Sequence, residues 1–297
     1  MSVYPIVLSQ RKYLHHDTLH FPYEERGLQF GDGVYEVIRI YNGTYYLLEE
    51  HVNRLIRSTA AIKIDLPYTK EELTQLLLGL LEKNSMTKDG KVYMQVTRGS
   101  APRDHVFPIN TAPNMYAYVQ DQPRNLEYLE TGVGTIIERD VRWENCYIKS
   151  LNLLPNILAK QAAKESGCFE AILHKDGIVT ECSSSNVYLV KDGKIFTYPT
   201  TKRILYGCVR MRVEKFAKDL NIPFIEEGFT LEDIAVADEL FLTSSTTEVM
   251  PIIKVDGNLV SDGKPGKITR KLQKAYEQDA NIIGITHSQA EKMKTEA

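Results

Sequence analysis

Cysteine is scarce: four in 297 residues, at Cys146, Cys168, Cys182 and Cys208, with no CxxC pair and no histidine at metal-ligand spacing. A chain of this length buries enough core without disulfide staples, so reduced thiols and no metal site are expected. A basic block is also missing. The 36 Lys and Arg are interspersed with 39 Asp and Glu, for a formal net charge of -3, which excludes a surface built to neutralise many nucleic-acid phosphates. No apolar run approaches the roughly 18 to 20 residues that span a bilayer. The opening MSVYPIVLSQRKYLHHD holds neither a basic leader nor a sustained apolar stretch, so a cytoplasmic protein without a membrane partner is expected. Repeats and low-complexity tracts are absent. What remains, 43% apolar and 25% charged residues, is the composition of a globular protein, and the length favours two domains.

Periodicity organises the chain. Residues 34–41 (VYEVIRIY) alternate and meet Asn42-Gly43, a hairpin signal. Helical spacing follows over 48–62 and again over 71–83 after a Tyr-Thr entry, and strands return in VYMQVTRG and MYAYVQ. This order predicts an α+β domain over 1–122. The proline and mixed polar residues of DQPRNLEY mark a linker, with a boundary near 120–128. The second domain, 123–285, is expected to hold a strand ending in IKSLN and a helix over 153–165 with Pro155 in its first turn. Three short strands should follow around turns at Asp176-Gly177 and Asp192-Gly193, then a helix over 209–220, the strands of DELFLTSSTTEVMPIIKVDGNLV, and a helix over 267–277. The polar tail 286–297 should fray.

Few residues suggest chemistry by themselves. Seven scattered histidines define no Ser-His-Asp set, since a triad is recognised by geometry. Lys149 lies between VRWENCYI and SLNLLPN at a strand end, where a lysine can serve as a Schiff-base amine, although an exposed lysine is the commoner outcome. Glu181 precedes Ser185 and Asn186 in TECSSSNVYLV. If buried it needs a cationic partner, and a protonated pyridine nitrogen is one. ILYGCVR leads into a helix whose first amides, at Cys208 and Val209, form an anion site in principle. Arg54 could fork onto a phosphate or form a surface ion pair.

Together, GLQFGDGVYEVIRIYNG, HVNRL, IKSLNLLPNILAKQAA, EAILHKDGIVTECSSSNVYLV, ILYGCVR and ELFLTSSTTEVMPI resemble the landmarks of the fold-type IV pyridoxal-phosphate enzymes, and within that class the D-amino acid aminotransferases. The resemblance covers nearly the whole chain. It implies a smaller N-terminal α/β sandwich-like domain and a larger C-terminal pseudo-barrel that binds pyridoxal 5'-phosphate. It implies that Lys149 carries the cofactor as a Schiff base and shuttles the substrate proton, and that Glu181 pairs with the ring nitrogen. Arg54, the backbone at Cys208 and Val209, and the hydroxyls of Ser244 and Ser245 would hold the phosphate, with Leu205 on the ring face and Ser184 and Ser185 lining the site. In APRDHVFP, Arg103 and His105 match an Arg-x-His pair that, with Tyr35, traps the substrate carboxylate and reaches the neighbouring subunit of a homodimer. Substrates would be D-alanine or D-glutamate with 2-oxoglutarate or pyruvate. Branched-chain L-aminotransferases and aminodeoxychorismate lyase share the class and are the alternative readings.

One departure bears on the cofactor. After Gly207 the family pattern has an aliphatic residue and then a threonine, where this chain has Cys208 and Val209. One hydrogen bond to a charged partner is thereby lost, worth about 1.5 to 3 kcal/mol. A Val209→Thr variant should bind the cofactor roughly ten- to a hundredfold more tightly; unchanged affinity in a cofactor titration refutes this.

Overall fold

The computed structural model describes residues 3–282; the tail expected to fray lies outside the described residues. The chain divides into two compact units. The first runs to Pro123 and takes back Ile148–Leu153; the second holds Arg124–Tyr147 and continues from Leu154. The sequence reading assigns Lys149 to the second domain, whereas its segment packs with the first. Ile148 is buried in the first unit's core, and Ser150 bridges Val34.

Unit 1 contains β1 (Val3–Ser9), β2 (Lys12–His15), α1 (Arg26–Phe30), β3 (Gly33–Tyr41), β4 (Thr44–Tyr45), α2 (Leu48–Ala61), α3 (Lys70–Lys83), β5 (Gly90–Thr97) and β6 (Asn114–Asp121). Its six strands form an antiparallel sheet in the order β2-β1-β6-β5-β3-β4. The period of two decides its faces. Val92, Met94 and Val96 of β5 and Met115, Ala117 and Val119 of β6 are buried with Val52 and Leu55 of α2 and Leu73, Leu77 and Leu80 of α3. Each buried Leu contributes about 1.5 to 3 kcal/mol. The other face carries Tyr35, Tyr93, Tyr116 and Tyr118, with the Tyr93 ring 5.4 to 6.1 Å from each of the other three. The Tyr-Thr entry is a capping box: Thr69 accepts from the Glu72 amide, and the Glu72 side chain accepts from the Thr69 amide.

Unit 2 contains α4 (Leu126–Thr131), β7 (Val133–Arg139), α5 (Leu154–Glu165), β8 (Glu170–Lys175), β9 (Ile178–Cys182), β10 (Asn186–Lys191), β11 (Lys194–Thr197), α6 (Cys208–Asp219), β12 (Phe224–Glu226), α7 (Leu231–Ala235), β13 (Glu239–Ser244), β14 (Glu248–Val255), β15 (Asn258–Leu259) and α8 (Lys267–Asp279). Its mixed sheet runs β12-β11-β10-β13-β14-β7-β8-β9, with β15 on β14. Four strands, not three, follow α5, because both Asp-Gly pairs close hairpins with positive φ at both central residues.

Two expectations change. DQPRNLEY does hold the boundary between the units, after Pro123, but it is not an open linker. Asn125 caps α4 by accepting from the Tyr128 amide, and Arg124 is buried in a fork with Glu248 while also reaching Glu277. Nor does a strand run on into IKSLN, since β7 ends at Arg139. Asp140 accepts from the Arg142 amide at 3.2 Å and from its guanidinium at 2.8 and 2.9 Å, turning the chain where a strand would continue. None of the four cysteines forms a disulfide, and no helix among the described residues is long and apolar enough to cross a membrane.

Candidate active site

Candidate residues occur in both units, and each set has its own local logic. In unit 1, the segment after Tyr147 lies antiparallel to the start of β3. The Tyr35 amide donates to the Lys149 carbonyl at 3.0 Å, the Leu151 amide to the Gly33 carbonyl at 3.0 Å, and the Lys149 amide to Ser58 Oγ at 3.3 Å. This pairing sets Lys149 across from Tyr35, with Nζ half-buried 4.1 Å from the ring centroid. Tyr35 stacks in turn on Tyr93.

Arg54 forms neither a surface pair nor an outward fork. Its Nε and one terminal nitrogen each donate at 2.7 Å to the two oxygens of Glu36, and His51 Nδ1 lies 2.7 Å from the same carboxylate. All three are buried. Sequence reasoning missed Glu36. The signal was an acid on the inward face of a strand, between Val34 and Ile38, with a His and an Arg three apart on the following helix. Burial by itself raises the Glu36 carboxyl, but Arg54 and His51 reverse this and hold it well below the usual carboxylate range. A depressed acid contributes stability that is complete above its ordinary value of 4.5 and is lost as pH falls below it. Glu36→Ala should cost about 3 to 5 kcal/mol at pH 7, because it leaves buried cations unpaired. Thermal melts at pH 7 and pH 3 should show the gap between wild type and variant narrowing in acid; a constant gap rejects the assignment.

Arg103 and His105 lie in the exposed connection between β5 and β6, both against Phe30: the Arg103 guanidinium is 4.8 Å from the ring centroid and the His105 ring 5.5 Å.

In unit 2, Glu181 is the next-to-last residue of β9 and is buried. The cation that the sequence required for it is supplied by Arg142, which donates at 2.6 Å while also gripping Asp140. Asn186 donates to Glu181 at 3.0 Å and to the Leu205 carbonyl at 2.8 Å, and the Leu205 amide donates back to Glu181. Burial raises the Glu181 carboxyl, and Arg142 only partly offsets it. Arg142, Asp140 and Asn186 were not singled out from sequence.

Leu205 is half-buried, while Cys208 and Val209 are buried in the first turn of α6, whose cap Gly207 offers no side chain. A Cβ at Gly207 would sit 2.4 Å from Asn186 Oδ1. Gly207→Ala therefore displaces the amide that steadies Glu181 and Leu205. Cofactor affinity should fall about tenfold with the fold retained, at a cost of about 1 to 3 kcal/mol for such overpacking; wild-type affinity in a cofactor titration contradicts that chain of contacts. Ser244 Oγ meets Thr247 Oγ1 at 2.7 Å in the β13–β14 turn, beside Ser245. Ser184 and Ser185 donate to fully buried Glu170 at 2.5 and 3.2 Å, joined by Ser183 and by Lys160 Nζ at 3.3 Å. Glu170 was also missed, although an acid opening the apolar run EAIL is a signal for a buried, partnered carboxylate.

Residues 33–255 match the amino-transferase class IV family, and the chain belongs to that family. Among individual relatives, it is 46% identical to D-alanine aminotransferase of Staphylococcus epidermidis over 268 residues, covering 90% of this chain and 95% of the relative. It is 45% identical to that of Bacillus licheniformis over 254 residues, 86% and 89% of the two chains. The fold is similar to that of Escherichia coli branched-chain amino acid aminotransferase, with a TM-score of 0.87 at 24% identity over 93% of this chain and 94% of the other.

Proposed function

We propose that this chain transfers the amino group of a D-amino acid, D-alanine or D-glutamate, to a 2-oxo acid, 2-oxoglutarate or pyruvate, in a ping-pong cycle with pyridoxal 5'-phosphate. The observation that carries the reading is the Lys149 amine set over Tyr35, in a chain 46% identical to a D-alanine aminotransferase along 90% of its length. The donor set suits the cofactor. Lys149 supplies the amine, and Glu181, buried and anchored by Arg142 and Asn186, supplies a carboxylate that would pair with a pyridinium.

When bound, the cofactor supplies an electron-accepting ring. Lys149 Nζ would hold the cofactor and would move the substrate α-proton, as base and then acid. Glu181 keeps the ring nitrogen protonated, held in place by Arg142 and Asn186. Arg54, the Cys208 and Val209 amides, and the Ser244 and Ser245 hydroxyls bind the phosphate. Leu205 packs on the ring, and Ser184 and Ser185 line the site with hydroxyls oriented by Glu170. Tyr35, Arg103 and His105 take the substrate α-carboxylate, the last two from the neighbouring subunit of a homodimer. On this reading residues 124–282 form most of the cofactor-binding domain, with Lys149 contributed by a segment that packs on the first unit, and the protein is cytoplasmic.

The test is a pair of half-reactions: the holoenzyme mixed with D-alanine and, separately, with L-leucine, following loss of the visible cofactor absorbance. Rapid loss with D-alanine alone is expected. Loss with L-leucine alone overturns the D-specificity, and pyruvate release from aminodeoxychorismate without an amino acceptor replaces transamination with lyase chemistry.

A further inference from the structure

The connection between β5 and β6 has exposed apolar side chains, with Val106, Phe107 and Ile109 at 71%, 50% and 88% exposure. Ordering such a segment costs backbone entropy unless something fixes it beforehand. Here consecutive residues are anchored to α1 and its neighbours. Arg103 lies over the Phe30 ring, 4.8 Å from its centroid, and His105 packs against the same ring at 5.5 Å. The residue between them is held by its backbone: Arg26 donates to the Asp104 carbonyl at 2.6 Å.

Arg26 is itself fixed. It is 3% exposed, packs 4.7 Å from the Phe30 centroid and donates to Asp32 at 2.8 Å. Asp32 also takes a fork from Arg98 at 2.8 and 2.9 Å, and Arg98 covers the Phe107 ring at 3.5 Å. The motif GLQFGDG thus supplies both the ring and the carboxylate of one platform, with Gly31 closing α1 at φ 65 so that Asp32 turns back toward Arg26.

We propose that Phe30 and Arg26 are positioning residues that pre-set Arg103 and His105 for the substrate carboxylate, so that α1 determines how well the D-substrate is held. The inference rests on the reading of Arg103 and His105 above. A quadrupolar ring face attracts a guanidinium, and a main-chain bond at Asp104 fixes the backbone that carries both side chains, so less order remains to be gained on binding.

The test uses the full-length holoenzyme with D-alanine and 2-oxoglutarate. Phe30→Leu and Arg26→Lys should each raise KM for D-alanine about tenfold, with kcat and cofactor affinity within twofold of wild type. Phe30→Tyr, which keeps the ring, should restore KM. In an Arg103→Leu, His105→Ala background, Phe30→Leu should have no further effect, which a merely structural role does not predict. If Arg103→Leu itself leaves D-alanine kinetics unchanged, the reading of Arg103 fails and the inference with it. If Arg103→Leu raises KM while Phe30→Leu and Arg26→Lys do not, the reading stands and the platform is rejected. Equal losses from Phe30→Leu in both backgrounds also reject it.

Discussion

Lys149→Ala should lower kcat/KM for D-alanine by roughly 10⁴-fold or more, since one amine both holds the cofactor and moves the proton, and general acid-base work alone contributes about 10² to 10⁴. The fold should survive. Lys149 is tied to its surroundings through its own backbone, by the Tyr35 amide on its carbonyl and Ser58 on its amide, and alanine keeps both bonds. The variant should therefore melt close to wild type while failing to consume D-alanine. Turnover within tenfold of wild type would falsify the assignment of Lys149.

Glu181→Gln should lower kcat by about 10² to 10³, the range for removing one electrostatic group aimed at developing charge. The substitution keeps shape and one hydrogen-bonding oxygen but deletes the charge that keeps a ring nitrogen protonated. Its effect on stability should be small. Arg142 retains its forked pairing with Asp140 when the charge is lost, and the glutamine oxygen can still accept from it, so no buried cation is left without a partner. A kcat within threefold of wild type, measured at saturating D-alanine, removes Glu181 from the proposed chemistry; a large fall in melting temperature reassigns it to structure.

What could be seen before the structure was local. Asn42-Gly43, Asp176-Gly177 and Asp192-Gly193 announce hairpins because each pair tolerates two consecutive left-handed residues, and all three take positive φ. Thr69 and Glu72 announce the start of α3 because both hydrogen bonds of the capping box lie within four residues. DQPRNLEY marked the boundary between the units, after Pro123, but not how its residues are held. Its composition is that of a linker, yet Arg124 is buried because Glu248 and Glu277, more than a hundred residues away, meet it. The strand expected to end in IKSLN stops at Arg139 because of a side chain: Arg142 folds back onto Asp140, and no alternation of apolar residues reports that.

The sequence by itself determined the hairpins and most helix bounds, because these depend on short-range periodicity and turn stereochemistry, and through its ordered motifs it singled out Lys149, Glu181, Arg103 and His105 as candidates. Only the tertiary structure decided the partners: Glu36 for Arg54, Arg142 for Glu181, Glu170 for Ser184 and Ser185, and Phe30 for the Arg103 loop. A buried charge is tolerable only beside its complement, and which complement reaches it follows from strand register and helix packing across long separations in the chain.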